Sequence, residues 1–205
     1  LKLNLPVFGA HVPGSDWMLA GLQTKPALIR FKDNPDVESF ETLLEFPEMT
    51  IYNATFHPKF AENGLLYIGS TGPASPGFVP ESAERFKEFK EKSVRITRYR
   101  MDPKTFEFDP KSAFLILEWE SHGHSGADCA FGNDGMLYVT TGDGTSDSDL
   151  IETGQGMDHL LSKLLRIDID HPDPGKTYSV PKDNPFVGMK NARPETWAYG
   201  FRNPW

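Results

Sequence analysis

One stretch of sequence occurs twice at long range, and that repeat constrains the fold of this chain more than any other feature. Glu62-Asn63-Gly64-Leu65-Leu66-Tyr67-Ile68-Gly69-Ser70 is echoed by Asn133-Asp134-Gly135-Met136-Leu137-Tyr138-Val139-Thr140, with Gly64 matching Gly135, Leu66 matching Leu137 and Tyr67 matching Tyr138. Both copies follow a phenylalanine, Phe56 and Phe131. Each leads, 28 positions beyond its tyrosine, to an arginine inside an apolar strand: Val94-Arg95-Ile96 and Leu165-Arg166-Ile167. Asn, Asp and Gly accept positive φ at low cost, so Asn133-Asp134-Gly135 predicts a tight turn joining two strands. In the second strand Leu137 and Val139 share one face and Met136, Tyr138 and Thr140 the other, which predicts a mostly apolar, buried strand.

Leu28-Ile29-Arg30-Phe31 reads as an earlier, shorter copy of the arginine strand. Trp17 to Leu22 and Ala27 to Phe31 flank Gln23-Thr24-Lys25-Pro26 as a hairpin, and Phe40 to Phe46 offers a further strand. Antiparallel units recurring at such intervals suit the blades of a β-propeller, an all-β fold. The rival architecture is a β-sandwich, which lacks a reason for the long period. Two insertions lengthen the units: Pro80 to Lys92, where Phe86/Phe89 and Glu81/Arg85 have the spacing of an amphipathic helix, and Ser146 to Ser162, where Met157, Leu160 and Leu161 predict a helical turn. About three blades fit in 205 residues, whereas a ring needs roughly four to eight. Residues 1–205 are therefore expected to form the N-terminal half of one propeller domain, truncated after Trp205, with the remaining blades supplied by another segment.

The net charge of −8 argues against a nucleic-acid partner, because phosphate binding needs clustered Lys and Arg. No run approaches the roughly 18 to 20 apolar residues of a membrane-spanning helix. Cys129 is alone, so cysteine usage leaves the compartment open. Leu1-Lys2-Leu3-Asn4-Leu5 lacks both an initiator Met and the apolar core of a signal peptide.

Four groups of residues could carry chemistry. Imidazole titrates near neutral pH, and His124, followed by Ser125-Gly126, stands where the chain should enter an innermost strand. It is a candidate proton acceptor, or else a hydrogen-bonding partner of a neighbouring loop. The small Gly126 would leave room for a flat ligand. His122 reads as structural, and the His-x-His pair lacks a third metal ligand at a telling spacing. Asp143, Asp147 and Asp149 are oxygen-rich like a calcium loop, but the EF-hand order is absent and a solvated, turn-forming loop explains them better. Arg202-Asn203 precedes Pro204, which forces Asn203 out of helical geometry, and a guanidinium there could hold a carboxylate or quinone oxygen in a planar fork.

His124-Ser125-Gly126, Phe131 to Tyr138, Gly142-Asp143-Gly144, Lys163 to Asp168, Asp183-Asn184-Pro185-Phe186 and Gly200-Phe201-Arg202-Asn203-Pro204 occur in an order that closely resembles the glucose/sorbosone dehydrogenase family, from about Ala54 to Trp205. The resemblance is to the versions found within larger secreted bacterial proteins. It implies a six-bladed propeller that oxidises a sugar or aldose with pyrroloquinoline quinone (PQQ), in a periplasmic or secreted setting, with a cytochrome as one possible electron acceptor. By resemblance His124 is the general base, Arg202 and Asn203 lie against the quinone, and calcium seats the quinone through ligands mostly beyond Trp205. Several positions depart from the family pattern. Gly123 stands where the glucose oxidisers carry Asp, Glu48 aligns loosely with their substrate-binding Gln, and Ala127 and Ser162 replace glycines. A second reading is a non-catalytic propeller that binds a carbohydrate or protein partner. A hydrolase or lactonase on a similar ring would need a metal cluster that the sequence does not assemble.

Overall fold

A computed structural model describes residues 1–80 and 92–205. The helix expected from Pro80 to Lys92 falls almost wholly outside the described residues. Among the described residues twelve strands form three four-stranded antiparallel sheets, each a meander in chain order. Blade 1 comprises β1 (Pro6–His11), β2 (Trp17–Leu22), β3 (Ala27–Lys32) and β4 (Glu41–Glu45). Blade 2 comprises β5 (Thr50–Phe56), β6 (Leu65–Pro73), β7 (Lys92–Met101) and β8 (Phe108–Glu120), with a single-turn helix, α1 (Phe60–Asn63), between β5 and β6. Blade 3 comprises β9 (Gly126–Phe131), β10 (Leu137–Thr141), β11 (Lys163–Ile167) and β12 (Thr196–Tyr199). The first strands of the three blades, β1, β5 and β9, lie side by side, as the innermost strands of a propeller do. Three separate meanders, rather than two sheets face to face, rule out the sandwich.

Two cores hold the blades together. Leu19, Leu28, Phe46, Ile51, Leu66, Ile68 and Tyr99 pack between blades 1 and 2, and Tyr67, Ile96, Trp119, Leu137, Val139, Leu165 and Ile167 between blades 2 and 3. Alternate residues of a strand face opposite sides of its sheet, so β6 sends Leu66 and Ile68 to one core and Tyr67 to the other. The strand β10 is buried on one face only. Leu137, Val139 and Thr141 are enclosed, whereas Tyr138 is half-exposed and the neighbouring Trp197 and Tyr199 of β12 are exposed. The expected burial holds on the face of Leu137 and Val139, and on the other face no sheet among the described residues covers Tyr138.

The repeat is reproduced in the frame but not in the register of its arginines. Tyr138 pairs with Arg166, as the 28-residue spacing implies, but Tyr67 pairs with Arg98 and leaves Arg95 opposite Ser70. The hairpin of β6 and β7 stays paired out to Pro73 and Lys92, and that of β10 and β11 only to Thr140 and Leu164. Arg166 reaches the turn aspartate Asp134 (2.9 Å), Asp183 (2.8 Å) and Asn184 (2.9 Å), while Arg95 reaches the backbone of Pro73 and the side chains of Ser93 and Glu118. The predicted helical turn within Ser146–Ser162 does not form. Leu160 and Leu161 are buried in the core as irregular chain, and Lys163, itself fully buried, donates to the carbonyls of Gly156 and Leu161 (both 2.6 Å) in place of a helical ladder.

Candidate active site

The segment leading into β9 and the segment leaving β10 meet at the inner end of blade 3. Their backbones are laced together: His122 N donates to Gly144 O (2.9 Å), His124 N to Thr145 O (2.6 Å) and Gly144 N to His124 O (3.1 Å). Such an approach requires glycine on both sides. A Cβ on Gly123 would lie 2.1 Å from Thr145 O, and one on Gly142 would lie 2.1 Å from His124 O. The turn after β12 closes on the same spot, because Asp143 N donates to Arg202 O (2.8 Å). Gly142 and Asp143 thus tie His124 to the Arg202-Asn203 turn.

The imidazole of His124 is only 13% exposed, and its Nδ1 lies 2.9 Å from Oδ1 of Asp143, itself 3% exposed. That oxygen also accepts hydrogen bonds from Thr145 N (2.9 Å) and Thr145 Oγ1 (3.0 Å). A carboxylate with two such donors is fixed as an acceptor, so Nδ1–H of His124 is the donor, and in the neutral ring Nε2 is the nitrogen that carries the lone pair. This buried pairing is what the sequence reading missed. Asp143 is not part of a solvated turn. The available signal was the position of Gly142-Asp143-Gly144 directly after β10, antiparallel to β9, which brings it back beside the residues that precede β9. Asp149 serves the loop instead: its carboxylate takes the N–H groups of Thr153 (2.6 Å) and Gly154 (2.9 Å). Burial raises the pKa of Asp149, but those backbone donors outweigh it and hold the carboxyl below the usual range.

Arg202 is exposed and donates through Nη2 to Asp147 O (2.6 Å), and the rest of its guanidinium has no partner among the described residues. Asn203 accepts weakly from Gly126 N (3.4 Å) through Oδ1, which leaves its amide N–H₂ to face elsewhere. Gly126 does not make room for a ligand, as its small size suggested. Its φ is +66°, and a Cβ there would lie 2.7 Å from Thr140 O, so it is glycine for the sake of a backbone bulge. The two positions where glycine is replaced both keep left-handed geometry, Ala127 at φ +74° and Ser162 at φ +60°. Glu48, at φ +64°, is not joined to His124. It lies by a separate cleft that also holds His122, an exposed residue whose backbone N–H is held by Gly144 O. Among the described residues no three His, Cys, Asp or Glu side chains converge as metal ligands, and no helix is long and apolar enough to cross a membrane.

Comparison with known proteins agrees with this architecture. The chain is 33% identical to the HIPL2 protein of Arabidopsis thaliana over 85% of its own length and 29% of that protein, and 30% identical to Hedgehog-interacting protein of Homo sapiens over 77% and 22% respectively. It overlays on the PQQ-bound form of aldose sugar dehydrogenase from Streptomyces coelicolor with a TM-score of 0.66 at 23% identity, covering 98% of this chain and 52% of that one. The chain thus spans about half of that solved structure and under a third of these curated relatives. Residues 32–205 match the profile of the family described as Glucose / Sorbosone dehydrogenase, and the chain belongs to that family.

Proposed function

We propose that this chain contributes three blades of a PQQ-dependent sugar or aldose dehydrogenase, with His124 as the general base. The observation that carries the reading is the His124–Asp143 pair, a partly shielded imidazole with one nitrogen committed to a buried carboxylate and the other left basic. In this role Nε2 takes the proton of the sugar hydroxyl. Asp143 holds the ring in the required tautomer and stabilises the imidazolium that forms. PQQ, when bound, supplies the hydride acceptor. The residues present fit one side of such a group, because the guanidinium of Arg202 and the amide N–H₂ of Asn203 are planar donors suited to an oxygen-rich anionic ring. The described residues do not by themselves make a calcium site, so the calcium expected from the resemblance would need ligands from elsewhere. The reading takes the three blades as part of a closed ring in a periplasmic or secreted protein, passing electrons to an acceptor such as a cytochrome.

The relatives named HIPL2 and Hedgehog-interacting protein favour a second reading, a propeller that binds a partner without chemistry. Reconstitution with PQQ and calcium, followed by dye reduction with a panel of aldoses, separates the two. Turnover that His124→Gln abolishes supports the dehydrogenase. Absence of both quinone binding and turnover in the folded wild type supports the binder.

A further inference from the structure

The three innermost strands border a cavity that the chemistry above does not use. It has a volume of about 280 Å³ and lies between Phe8 and its neighbours on β1, Tyr52 and Asn53 on β5, Gly126 and Asp128 on β9, and Trp205, whereas neither His124 nor Arg202 lines it. That volume falls just below the roughly 300–1,000 Å³ of pockets for drug-sized ligands, so it suits one compact group. Three of its side chains, Phe8, Tyr52 and Trp205, are aromatic. Tyr52 and Trp205 meet edge to face, with ring centroids 5.6 Å apart and planes at 65°, so the two rings make a corner of the lining rather than a stack. Trp205 is 72% exposed, which leaves its indole open to a ligand.

Asp128 supplies the charge of this lining. Its Oδ1 is shut off from water without a hydrogen-bond partner, and no Lys or Arg among the described residues pairs with its carboxylate. Burial raises its pKa, with only the backbone N–H of Cys129 acting the other way. A carboxylate so placed lacks a counter-charge. The rest of the lining offers little to a sugar, because Asn53 spends its amide N–H₂ on Cys129 O (3.0 Å), Gly126 has no side chain and the residues from β1 are apolar. Calcium takes about six to eight oxygen ligands, which one carboxylate beside aromatic rings does not provide. An anion is repelled by Asp128 and by the net charge of −8. An organic cation gains from the carboxylate and from the rings together.

We infer that this cavity binds a small organic ammonium ion, with Asp128 as its counter-ion and the rings of Tyr52 and Trp205 against its alkyl groups. The inference stands apart from the dehydrogenase reading, and its test involves neither turnover nor quinone. The chain is titrated with choline and with its neutral carbon analogue, in which a tert-butyl group replaces the trimethylammonium, and binding is followed by NMR. Choline should bind about tenfold more tightly, as a cation does when aromatic rings replace part of its water. Asp128→Asn should bring the two affinities together, and Trp205→Leu should weaken choline more than the analogue. Melting curves check that the variants are folded, as expected where no ion pair is lost at Asp128 and the ring of Trp205 is exposed. Should Asp128→Asn unfold the chain, Trp205→Leu decides alone. Equal affinities in the wild type, or a preference that survives in every folded variant, would overturn the inference. Failure of both compounds to bind would do the same, as would displacement of choline by an equal concentration of calcium, which would mark an inorganic-cation site.

Discussion

Blades 2 and 3 are two copies of one unit put to different uses. Their turn glycines, Gly64 and Gly135, both adopt positive φ, and their central strands both bury a leucine (Leu66, Leu137) against a neighbouring blade. At the inner end they diverge. In blade 2 the chain before β5 packs Met49 against Gly72, an apolar contact. In blade 3 the corresponding segment lies on Gly142 as bare backbone and is cross-linked to the loop after β10, which delivers Asp143 to His124. The repeat supplies a rigid edge on which side chains can be aimed, and in blade 3 the chain leaving β10 supplies the carboxylate that orients His124. Functional residues on loops held by a rigid scaffold follow the same logic.

The largest expected effect breaks this difference directly. His124→Gln in the quinone-loaded protein should lower turnover by about 10²- to 10⁴-fold, the worth of a positioned general base, and leave the melting temperature almost unchanged. Met49→Ala in blade 2 should do the reverse, lowering stability without touching turnover. Parallel kinetics and thermal melts of the two variants decide the matter.

The loop after β10 offers the next test. Burial lowers the Lys163 pKa to about 8, with Asp158 and Asp149 opposing the shift. The unfolded chain keeps its lysine protonated to about pH 10.4. Between these values the unfolded state therefore binds the extra proton, and stability should rise with pH by up to about 3 kcal/mol, because the charged form no longer has to be buried. The neutral amine retains two N–H groups for Gly156 O and Leu161 O. Urea denaturation at pH 8 and pH 10 should show this slope in the wild type and not in Lys163→Met.

The two turn glycines sharpen the comparison within the shared frame. A Cβ on Gly64 would lie 2.3 Å from Met101 O, whereas one on Gly135 meets nothing within 4 Å. Gly64→Ala should cost about 3 kcal/mol from crowding plus strain, and Gly135→Ala only about 1 kcal/mol from strain. Equal losses in denaturant titrations would contradict the crowding. The smallest effect is expected at Ala127. Glycine there relieves left-handed strain of about 1 kcal/mol and gives up a buried methyl worth a similar amount, so Ala127→Gly should shift stability by less than about 0.5 kcal/mol.

The sequence alone determined the unit and its reuse. Local signals specify a hairpin by its turn residues and a strand by its alternation, so Asn133-Asp134-Gly135, the pairing of Trp17–Leu22 with Ala27–Lys32, and the three-blade count were all legible. Family resemblance pointed to His124, Arg202 and Asn203 as a group. Tertiary structure decided the rest. Register depends on where a hairpin stops pairing, so equal spacing put Arg166 opposite Tyr138 but left Arg95 three residues from Tyr67's partner, Arg98. The helical turn expected near Leu160 lost to a buried lysine that takes up loop carbonyls. Gly126 answers to the backbone of Thr140 rather than to a ligand. The Asp143 partner of His124 lies 19 residues away in sequence, and no periodicity connects the two. That contact exists because two antiparallel strands return the chain to its starting edge, where glycines let the backbones close on each other.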